Sequence, residues 1–569
     1  MDEYLKLRGH KGNLNLQLVH GDALLAREKV ISEGEITEYK PENIDGVDEK
    51  SDGSLEAQSW FTARKRPLLA PFGVGTIDQS MLSVIQTRHW FVRLFGLSRK
   101  VVIFDEIHAY DAYMNTIIER LLEWLAEIDC TVILLSATLP QEKRKALVRA
   151  YSRQDYIDAT PYPRITVAPP HHFLEPQQNR EIVCRSFMDT DKRSIVLNYQ
   201  KSDLDGLVKD LSDKLANGGC AAIICTTVDR SIEIFNYLRS NLDSTECLLF
   251  HARTLKMWRR QIEAEIIRKF GKGESQSDRS CYNPARPHRA VLVATQVIEQ
   301  SLDLDFDLMY SEIAPVDLLI QRAGRLHRHR RQRPSGLETA AFTVLIENPE
   351  DEKSPETFGR NIEHIYDRYI LLKTWKVLRD KNSLEIPVEI ENLVDAVYSD
   401  KIPSGDSAWE RALLDAKHKM EHERYESENA AKHLLIDPPV YPEDLLSKFN
   451  DQLIEDDDPY VHETVRAATR EGDPSITIVM IDEDKKLSPE PDTAETRELL
   501  EHSVNLSHRG LYHLLKEQGE TPEEWKTNAS LRYARLIRVN NTGPVRIGEY
   551  LITVEKETGI TIKRRIDNG

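Results

Sequence analysis

The sequence has few cysteines and no long apolar run. Its 569 residues include six cysteines, and none of them forms a Cys-x-x-Cys pair. Several lie in strand-like apolar segments, which predicts reduced core thiols. No run of about 18 apolar residues occurs, so no transmembrane helix is predicted. The N-terminus also lacks the apolar segment of a secretion signal. These absences favour a cytoplasmic protein with no membrane partner.

An excess of basic residues is also lacking. The formal net charge is -18, which argues against a generally basic nucleic-acid coat and leaves room for a local basic groove. Hydrophobic residues make up 40% of the chain and charged residues 30%, as expected for a globular protein. The length predicts about three or four domains of ~150 residues each.

The most informative stretch is Val101–His108, in which four apolar residues run into Asp105 and Glu106. Such a run is typical of a strand buried in a parallel sheet, and the carboxylates then fall at the ligand-binding edge. In a nucleotide-hydrolysing site, Asp105 would hold magnesium and Glu106 would orient and deprotonate the attacking water. Taken alone, the run favours a simpler interpretation, a buried strand that ends in a solvated turn.

Small polar residues also occur in two segments on either side of Val101–His108, one after it and one before it. A helical stripe over Met114–Ile128 leads to an apolar strand at Thr131–Leu135, which is followed by Ser136 and Thr138. This order predicts a βαβ unit, although the hydroxyl residues could simply cap the next helix. The Gly75-Thr76 turn could bring the backbone close to a phosphate, or it could be an ordinary helix cap before Gln79.

A second alternating series follows a proline-rich boundary. Its predicted strands and helices indicate another parallel α/β domain. Within it, Val291–Asp305 reads as a buried strand followed by a polar loop. In Gln321–Arg328, three arginines are spaced so that they would share one helix face, where their guanidinium groups suit phosphate. A basic solvated helix is the alternative.

Taken in order, these motifs resemble motifs II, III, V and VI of superfamily-two helicases. More narrowly, they resemble the CRISPR-associated helicase–nuclease of type I systems, the Cas-three family. The resemblance is specific over residues 60–335 and weaker beyond them. The narrowing residues are Trp60-Phe61, Lys65-Arg66, Val74-Gly75-Thr76-Ile77-Asp78-Gln79, Asp105-Glu106-Ile107-His108-Ala109-Tyr110-Asp111, Phe250-His251-Ala252-Arg253 and Gln300-Ser301-Leu302-Asp303.

The resemblance implies an α/β fold with tandem RecA-like helicase domains, a helical linker and a small C-terminal α+β domain. The expected bounds are 1–160 for an incomplete first RecA-like domain, 161–348 for the second, 349–400 for the linker and 401–569 for the C-terminal domain. It also implies an ATP- and Mg²⁺-dependent helicase that translocates on single-stranded DNA in type I CRISPR interference, an antiviral defence. A CRISPR surveillance complex is the expected partner.

The resemblance also assigns roles to residues of this sequence. Asp105 matches the metal-binding acid. The catalytic set is Asp105, Glu106, Arg325 and Arg328; the ATP-binding and coupling set is His108, Ser136, Thr138, Asp303, Gln321 and Arg322; the DNA-binding set is Gly75, Thr76, Asp78, Gln79, Thr295, Gln296 and Ser301.

Two signatures of the family are missing. The sequence contains no Gly-x-x-x-x-Gly-Lys-[Ser/Thr] phosphate loop and no His-Asp pair of the metal nuclease. We therefore expect the first βα unit to lie upstream of Met1, either lost or supplied by a separate chain that carries the phosphate loop and nuclease. The chain alone is expected to be inactive. The alternatives are a non-enzymatic remnant that binds DNA or the complex, and another superfamily-two translocase such as a restriction subunit.

The C-terminal third carries weaker signals. His418 and His422 are four residues apart and could bind a metal, but a solvated helix is favoured by the surrounding Lys and Glu. Strands are predicted at Ile476–Ile481, Tyr533–Val539 and Val545–Val554. The acidic segment 28–56 reads as a surface loop.

Overall fold

The structure is a computed structural model. It describes residues 16–19, 69, 72–87, 89–157, 160–172, 181–187, 192–275, 280–299, 302–347, 357–401, 407–439, 469–470, 475–526, 528, 530–539 and 543–564. The predicted loop at 28–56, the Trp60-Phe61 and Lys65-Arg66 motif residues, Gln300 and Ser301 lie outside these residues. No helix in the described part of the chain is both long and apolar enough to cross a membrane.

The first domain contains two separate parallel strand pairs. Its elements are β1 (Leu16–Val19), β2 (Phe72–Gly75), α1 (Ile77–Met81), α2 (Trp90–Leu97), β3 (Val101–Phe104), α3 (Ala112–Glu127), β4 (Thr131–Leu134) and α4 (Gln141–Ser152). Strand β1 pairs with β2, and β3 pairs with β4. Helix α3 begins where Asp111 accepts a hydrogen bond from the Met114 amide. Its apolar stripe then packs against β3 and β4, as the βαβ pattern predicts.

A two-stranded antiparallel pair, β5 (Arg164–Val167) and β6 (Val183–Ser186), leads to the second domain. Its elements are β7 (Arg193–Lys201), α5 (Leu204–Lys214), β8 (Gly219–Ile224), α6 (Val228–Asn241), β9 (Glu246–Phe250), α7 (Lys256–Phe270), β10 (Glu274–Ser275), β11 (Cys281–Tyr282), β12 (Arg289–Ala294), β13 (Leu308–Glu312), α8 (Val316–Ala323) and β14 (Ala341–Ile346). Both domains have the α/β architecture that the alternating pattern predicts.

The second domain is built on one seven-stranded sheet. The linker supplies its last strand, β15 (Ser383–Ile386), and the strand order is β15-β7-β14-β13-β8-β12-β9. All neighbours are parallel except β15, which runs antiparallel to β7 at the edge. The segment expected to be purely helical therefore also completes the sheet, because the exposed edge of β7 accepts a further strand.

The linker helices are α9 (Arg360–Glu363), α10 (Arg368–Leu378), α11 (Ile390–Tyr398) and α12 (Ser407–Leu434). Helix α12 has 28 residues, which corresponds to a length of about 42 Å. Near its start, Trp409 is buried in the core of the second domain, whereas Ala431 near its end is buried in the core of the first. The helix therefore connects both domains.

The C-terminal part is a small α+β unit, as predicted. It contains β16 (Ile476–Asp482), α13 (Thr493–Glu501), β17 (Ser503–Leu506), α14 (Arg509–Gln518), β18 (Arg535–Val539), β19 (Val545–Ile547), β20 (Tyr550–Glu555) and β21 (Gly559–Arg564). One long strand was expected over Val545–Val554, and this was wrong. A turn at Gly548, whose φ is +55°, divides it into β19 and β20, which pair as a hairpin.

His418 and His422, the two histidines considered as metal ligands, are both exposed on α12. His422 is 71% exposed and lies 3.6 Å from Glu426 on the same helix. Among the residues that the structure describes, no group of three His, Cys, Asp or Glu side chains could hold a metal ion. The structure thus agrees with the solvated-helix interpretation.

Candidate functional site

The Asp-Glu turn lies at the carboxyl ends of two adjacent parallel strands. Phe104 of β3 pairs with Leu134 of β4, so Asp105 and Ser136 follow neighbouring strand ends. The Glu106 amide donates a 3.0 Å hydrogen bond to Asp105 Oδ1. Glu106 has a φ of +53°, a left-handed conformation that reverses the chain into the short turn at Ile107–Ala109. The carboxylates therefore meet at one sheet edge, as the sequence predicts.

His108 connects this turn to the next strand end and to the second domain. Its Nδ1 lies 3.1 Å from Ser136 Oγ and 3.4 Å from Glu106 Oε2. Its Nε2 lies 2.8 Å from Gln321 Nε2 on α8. Because an amide nitrogen only donates, His108 Nε2 is the acceptor and the ring proton resides on Nδ1. That proton can be donated to Ser136 or to Glu106.

Gln321 also contacts the polar residues after β4. Its Nε2 donates a 3.2 Å hydrogen bond to Thr138 Oγ1, and Thr138 is buried. Four residues of the predicted coupling set, His108, Ser136, Thr138 and Gln321, are thus brought together across the boundary between the domains. They come from three separate motifs of the sequence.

Lys143 supports the same turn and was not identified from the sequence. Its Nζ donates hydrogen bonds to the carbonyl oxygens of His108 at 3.2 Å and Tyr110 at 2.9 Å. Burial lowers the pKa of Lys143 to about 8, although Asp317 and Asp111 act in the opposite direction. The sequence signals this role only through the position of Lys143 in the first turn of the helix that follows Ser136-Ala137-Thr138.

The predicted arginine helix is shorter than expected. Helix α8 ends at Ala323 with Gly324 as its C-cap, and His327 has a φ of +47°. The expectation that Arg322, Arg325 and Arg328 share one helix face is therefore wrong, because the chain turns away after the first of them.

Arg322 is fully buried and is bonded to residues of the second domain and of the linker. Its Nε donates to Glu299 Oε1 at 2.7 Å and its Nη1 donates to Ser311 Oγ at 2.7 Å. Its Nη2 donates to the Tyr366 hydroxyl at 3.1 Å. This network holds α8 against the sheet, and with it the position of Gln321.

Arg325 and Arg328, predicted as catalytic, differ in exposure. Arg325 is buried, and its two terminal nitrogens donate to the carbonyl oxygens of Leu302 and Glu299. Burial and the charge of Arg328 lower the pKa of Arg325, whereas Glu106 acts to raise it. Arg325 is therefore within electrostatic reach of the first domain. Arg328 is 44% exposed and donates to Asp303 Oδ1 at 2.7 Å.

The predicted DNA-binding residues of the first domain divide into two groups. Gly75 and Thr76 are exposed at the end of β2. Asp78 is buried and accepts hydrogen bonds from Arg470 Nε and Nη2, both at 2.9 Å. Thr469 Oγ1 donates a further hydrogen bond to Asp78 at 2.7 Å. Asp78 therefore fastens a C-terminal segment to the first domain.

Gln79 and Gln296, two further predicted DNA-binding residues, have internal partners as well. Gln79 Oε1 accepts from Arg93 Nη1 at 2.8 Å. Thr295 is buried after β12, and Gln296 Nε2 donates to the Thr226 carbonyl at 2.9 Å. Ser301 lies outside the described residues. Contacts of this set with DNA stay a prediction.

The site therefore lies at the boundary between two RecA-like α/β domains. The Asp-Glu turn of the first domain is on one side, and helix α8 with Gln321 and Arg322 is on the other. This combination defines a helicase-type protein. Two family models match the chain, described as "CRISPR-associated nuclease/helicase Cas3, C-terminal" over residues 217–331 and "Cas3 C-terminal domain" over residues 467–560.

Individual proteins with Cas3 in their names are also similar to this chain. A CRISPR-associated endonuclease/helicase Cas3 of Thermus thermophilus is 32% identical over 97% of this chain and 63% of its own length. The crystal structure of T. fusca Cas3 with AMPPNP is 29% identical to this chain, and the match covers 98% of this chain and 64% of that chain with a TM-score of 0.75. A chain of a CRISPR RNA-guided surveillance complex, captured before nicking, is 27% identical over 90% of this chain and 63% of that chain, with a TM-score of 0.68. The chain belongs to the Cas3 helicase family, and it spans less than two thirds of these relatives' lengths.

Proposed function

We propose that this chain is the motor part of an ATP-dependent single-stranded DNA helicase that acts in type I CRISPR interference, in the cytoplasm. The observation that carries the proposal is the contact of Gln321 with His108, because it joins the Asp-Glu turn of one domain to the second domain. A motor needs such a contact, since hydrolysis at one edge must change the position of the other domain.

Asp105 and Glu106 have the chemistry for the hydrolytic step. Asp105 is exposed at the strand end, and a single carboxylate fits Mg²⁺, which binds through one or two carboxylates together with substrate phosphates. Magnesium would neutralise charge on the phosphates of ATP. Glu106 would orient and deprotonate the attacking water, and His108 would hold Glu106 through its Nδ1 proton.

Arg328 is the better placed of the two predicted catalytic arginines. Its guanidinium is half exposed beside Asp303, so it can reorient without breaking a buried network. Arg325 would first have to release the carbonyl oxygens of Leu302 and Glu299. We therefore propose that Arg328 contacts phosphate. Arg325 would instead hold the backbone at Glu299 and Leu302 in place.

These 569 residues contain no Gly-x-x-x-x-Gly-Lys-[Ser/Thr] motif, and we propose that another segment of polypeptide supplies the phosphate loop. One face of the β3–β4 pair supports this part of the proposal. Val101 and Ile103 are 62% and 59% exposed, and Ile133 is 40% exposed. Parallel strands are normally covered on both faces, so this apolar face suits a further segment of polypeptide. We propose that the segment carries the phosphate loop, in the same or a separate chain.

An ATPase assay with single-stranded DNA tests the proposal. The 569-residue chain alone should show no DNA-stimulated hydrolysis, and activity should return when a polypeptide carrying a phosphate loop is co-expressed with it. Glu106→Gln should then reduce turnover by on the order of 10³-fold. Glu142→Gln, a change of an exposed carboxylate in the same domain, is the matched control and should have no effect. Turnover by the chain alone that Glu106→Gln abolishes would contradict the dependence on a second segment.

A DNA-binding remnant without enzymatic activity is the second candidate, favoured by the missing phosphate loop. A well-folded reconstituted protein that binds single-stranded DNA but never hydrolyses ATP would support it. Binding to the surveillance complex can be measured separately, because one structural neighbour belongs to such a complex.

A further inference from the structure

Helix α11 of the linker has two different faces. Its apolar face is buried in the core of the second domain, and these residues are Ile390, Leu393, Val394 and Val397. Its polar residues Glu391, Asp395 and Tyr398 are spaced by four and three positions, so they lie on a second stripe of the same helix. The helix is therefore fixed to one domain while its polar stripe is available to another element.

Asp395 caps a helix of the first domain. Its Oδ1 accepts a 3.0 Å hydrogen bond from the amide of Gln141, the first residue of α4. Pro140 occupies the N-cap position of α4 and makes no side-chain cap hydrogen bond. The cap is thus supplied by a residue 254 positions away, on the linker. Helix α4 directly follows Ser136-Ala137-Thr138, which contacts Gln321 and His108.

Glu391 adds charge to the same contact. It pairs with Arg144 of α4 at 3.4 Å and with Arg164 of β5. The side chains of Arg144 and Arg164 are 14% and 6% exposed, so water screens these ion pairs little. Two carboxylates of α11 therefore hold the first domain at the start of α4.

Tyr398 connects the other end of α11 to α8. Its hydroxyl donates a 2.7 Å hydrogen bond to Asp317 Oδ1, in the first turn of α8. Gln321 lies one turn later on α8. The same linker helix thus contacts both the helix that follows the hydroxyl motif and the helix that carries Gln321.

We propose that α11 is a positioning element that sets the spacing of the two domains, with Glu391 and Asp395 as positioning residues for the Gln321–His108 contact. This inference concerns the spacing of the domains and not the hydrolytic step, so it goes beyond the proposed function. Helix α12 also joins the domains through the core around α3. Loss of the α11 contacts should therefore make the distance between the domains more variable, while α12 keeps the domains joined.

The distance between the domains tests the proposal in the full chain without ATP. Pulsed electron paramagnetic resonance measures this distance between two spin labels, one at Arg149 on α4 and one at Lys209 on α5, both of which are exposed. The labels are attached by a chemistry that does not use cysteine, because the chain has six cysteines of its own. In the double variant Glu391→Gln/Asp395→Ala, the ratio of docked to undocked populations should fall by roughly fivefold, the size of a lost helix cap. Asp395→Asn keeps an oxygen acceptor, so its shift should be smaller.

Glu389→Gln is the matched control, because Glu389 pairs with Lys381 at 2.6 Å within the linker itself. It should leave the distance distribution as in the unmodified chain. Two results would overturn the proposal: an unchanged distribution in the double variant, or an equal shift in Glu389→Gln. Thermal unfolding of each variant separates a change in spacing from a loss of folding, and Tyr398→Phe provides a second variant that tests the contact to α8.

Discussion

The two α/β domains differ in how completely their sheets are covered. In the second domain every residue of β8 is buried within a seven-stranded sheet. In the described part of the first domain, β3 pairs with β4 alone, and Val101 and Ile103 on one face are largely exposed. Both segments are similar apolar runs in the sequence. The difference teaches that neighbouring strands, and not the run itself, decide whether such a strand is buried.

The polar side chains at the facing edges of the two domains also differ in burial, and those of the second domain are again the more buried. Arg322 in the second domain is buried and bonded to Glu299, Ser311 and Tyr366. Glu106 in the first domain is 45% exposed and has His108 3.4 Å away. The edge of the second domain is therefore fixed by buried contacts with its own residues and with the linker, whereas Glu106 at the edge of the first domain is accessible to a ligand.

Loss of Arg322 should have the largest effect on stability. Arg322→Met leaves Glu299 buried without its cation, so we expect a loss of about 3–5 kcal/mol in unfolding free energy. Urea denaturation of the chain measures it. The double variant Arg322→Met/Glu299→Gln should recover part of the loss. A single variant as stable as the unmodified chain would show that the second edge is not fixed by this network.

Asp78→Asn should have an intermediate effect. Burial disfavours the Asp78 carboxylate, but the hydrogen bonds and charge of Arg470 outweigh burial and lower its pKa below 3.8. The ionised group then stabilises the fold above pH 3.8, and this contribution is lost as the pH falls through the lower folded value. At neutral pH we expect a loss of about 1–2 kcal/mol, because Arg470 is 39% exposed.

The test for Asp78 is the pH dependence of unfolding. The stability difference between the unmodified chain and Asp78→Asn should shrink as the pH is lowered below 3.8. Glu142→Gln, at an exposed position, should show no such change. A constant difference at all pH values would mean that the Arg470 contact does not depend on the Asp78 charge.

Lys143→Met should have a smaller effect at neutral pH, on the order of 1 kcal/mol or less, because lost hydrogen bonds are offset by removal of a buried charge. Folded Lys143 releases its proton near pH 8, whereas the unfolded chain retains it up to 10.5. Stability should therefore rise with pH between these values in the unmodified chain and should not in Lys143→Met. Lys145→Met, which changes a more exposed lysine of α4, is the control.

Arg328→Ala should change stability least, by about 0–1 kcal/mol, since the ion pair with Asp303 is half exposed. Calorimetry checks this against Arg322→Met in the same domain. If hydrolysis by the reconstituted protein falls while the unfolding temperature is kept, the loss belongs to the reaction and not to the fold. A large destabilisation would remove the contrast between the two arginines.

Much of the fold could be predicted from the sequence. Apolar runs and their periodicity gave the strands and helices around Asp105 and Ser136, since buried strands and packed helices require these patterns. The parallel βαβ order then placed both strand ends at one edge. The errors came from turns and edges. Gly324 ends α8 before Arg325, and β15 joins the sheet from a segment expected to be helical.

The partners of the candidate residues could not be predicted. Asp78 and Arg470 are 392 residues apart, and Gln141 and Asp395 are 254 apart. No local pattern encodes such contacts, because they depend on how α11 and the segment around Arg470 dock onto the first domain. The buried roles of Arg322 and Lys143 were missed for the same reason.

By itself, the sequence determined the order of the motifs, the α/β class and the identity of the groups that can do chemistry, because these depend on local spacing and side-chain type. Only the tertiary structure decided which charges are bonded internally, as with Arg322 and Asp78, and which remain accessible, as with Glu106 and Arg328. Burial and hydrogen bonding are properties of packed neighbours, and these neighbours come from distant parts of the chain.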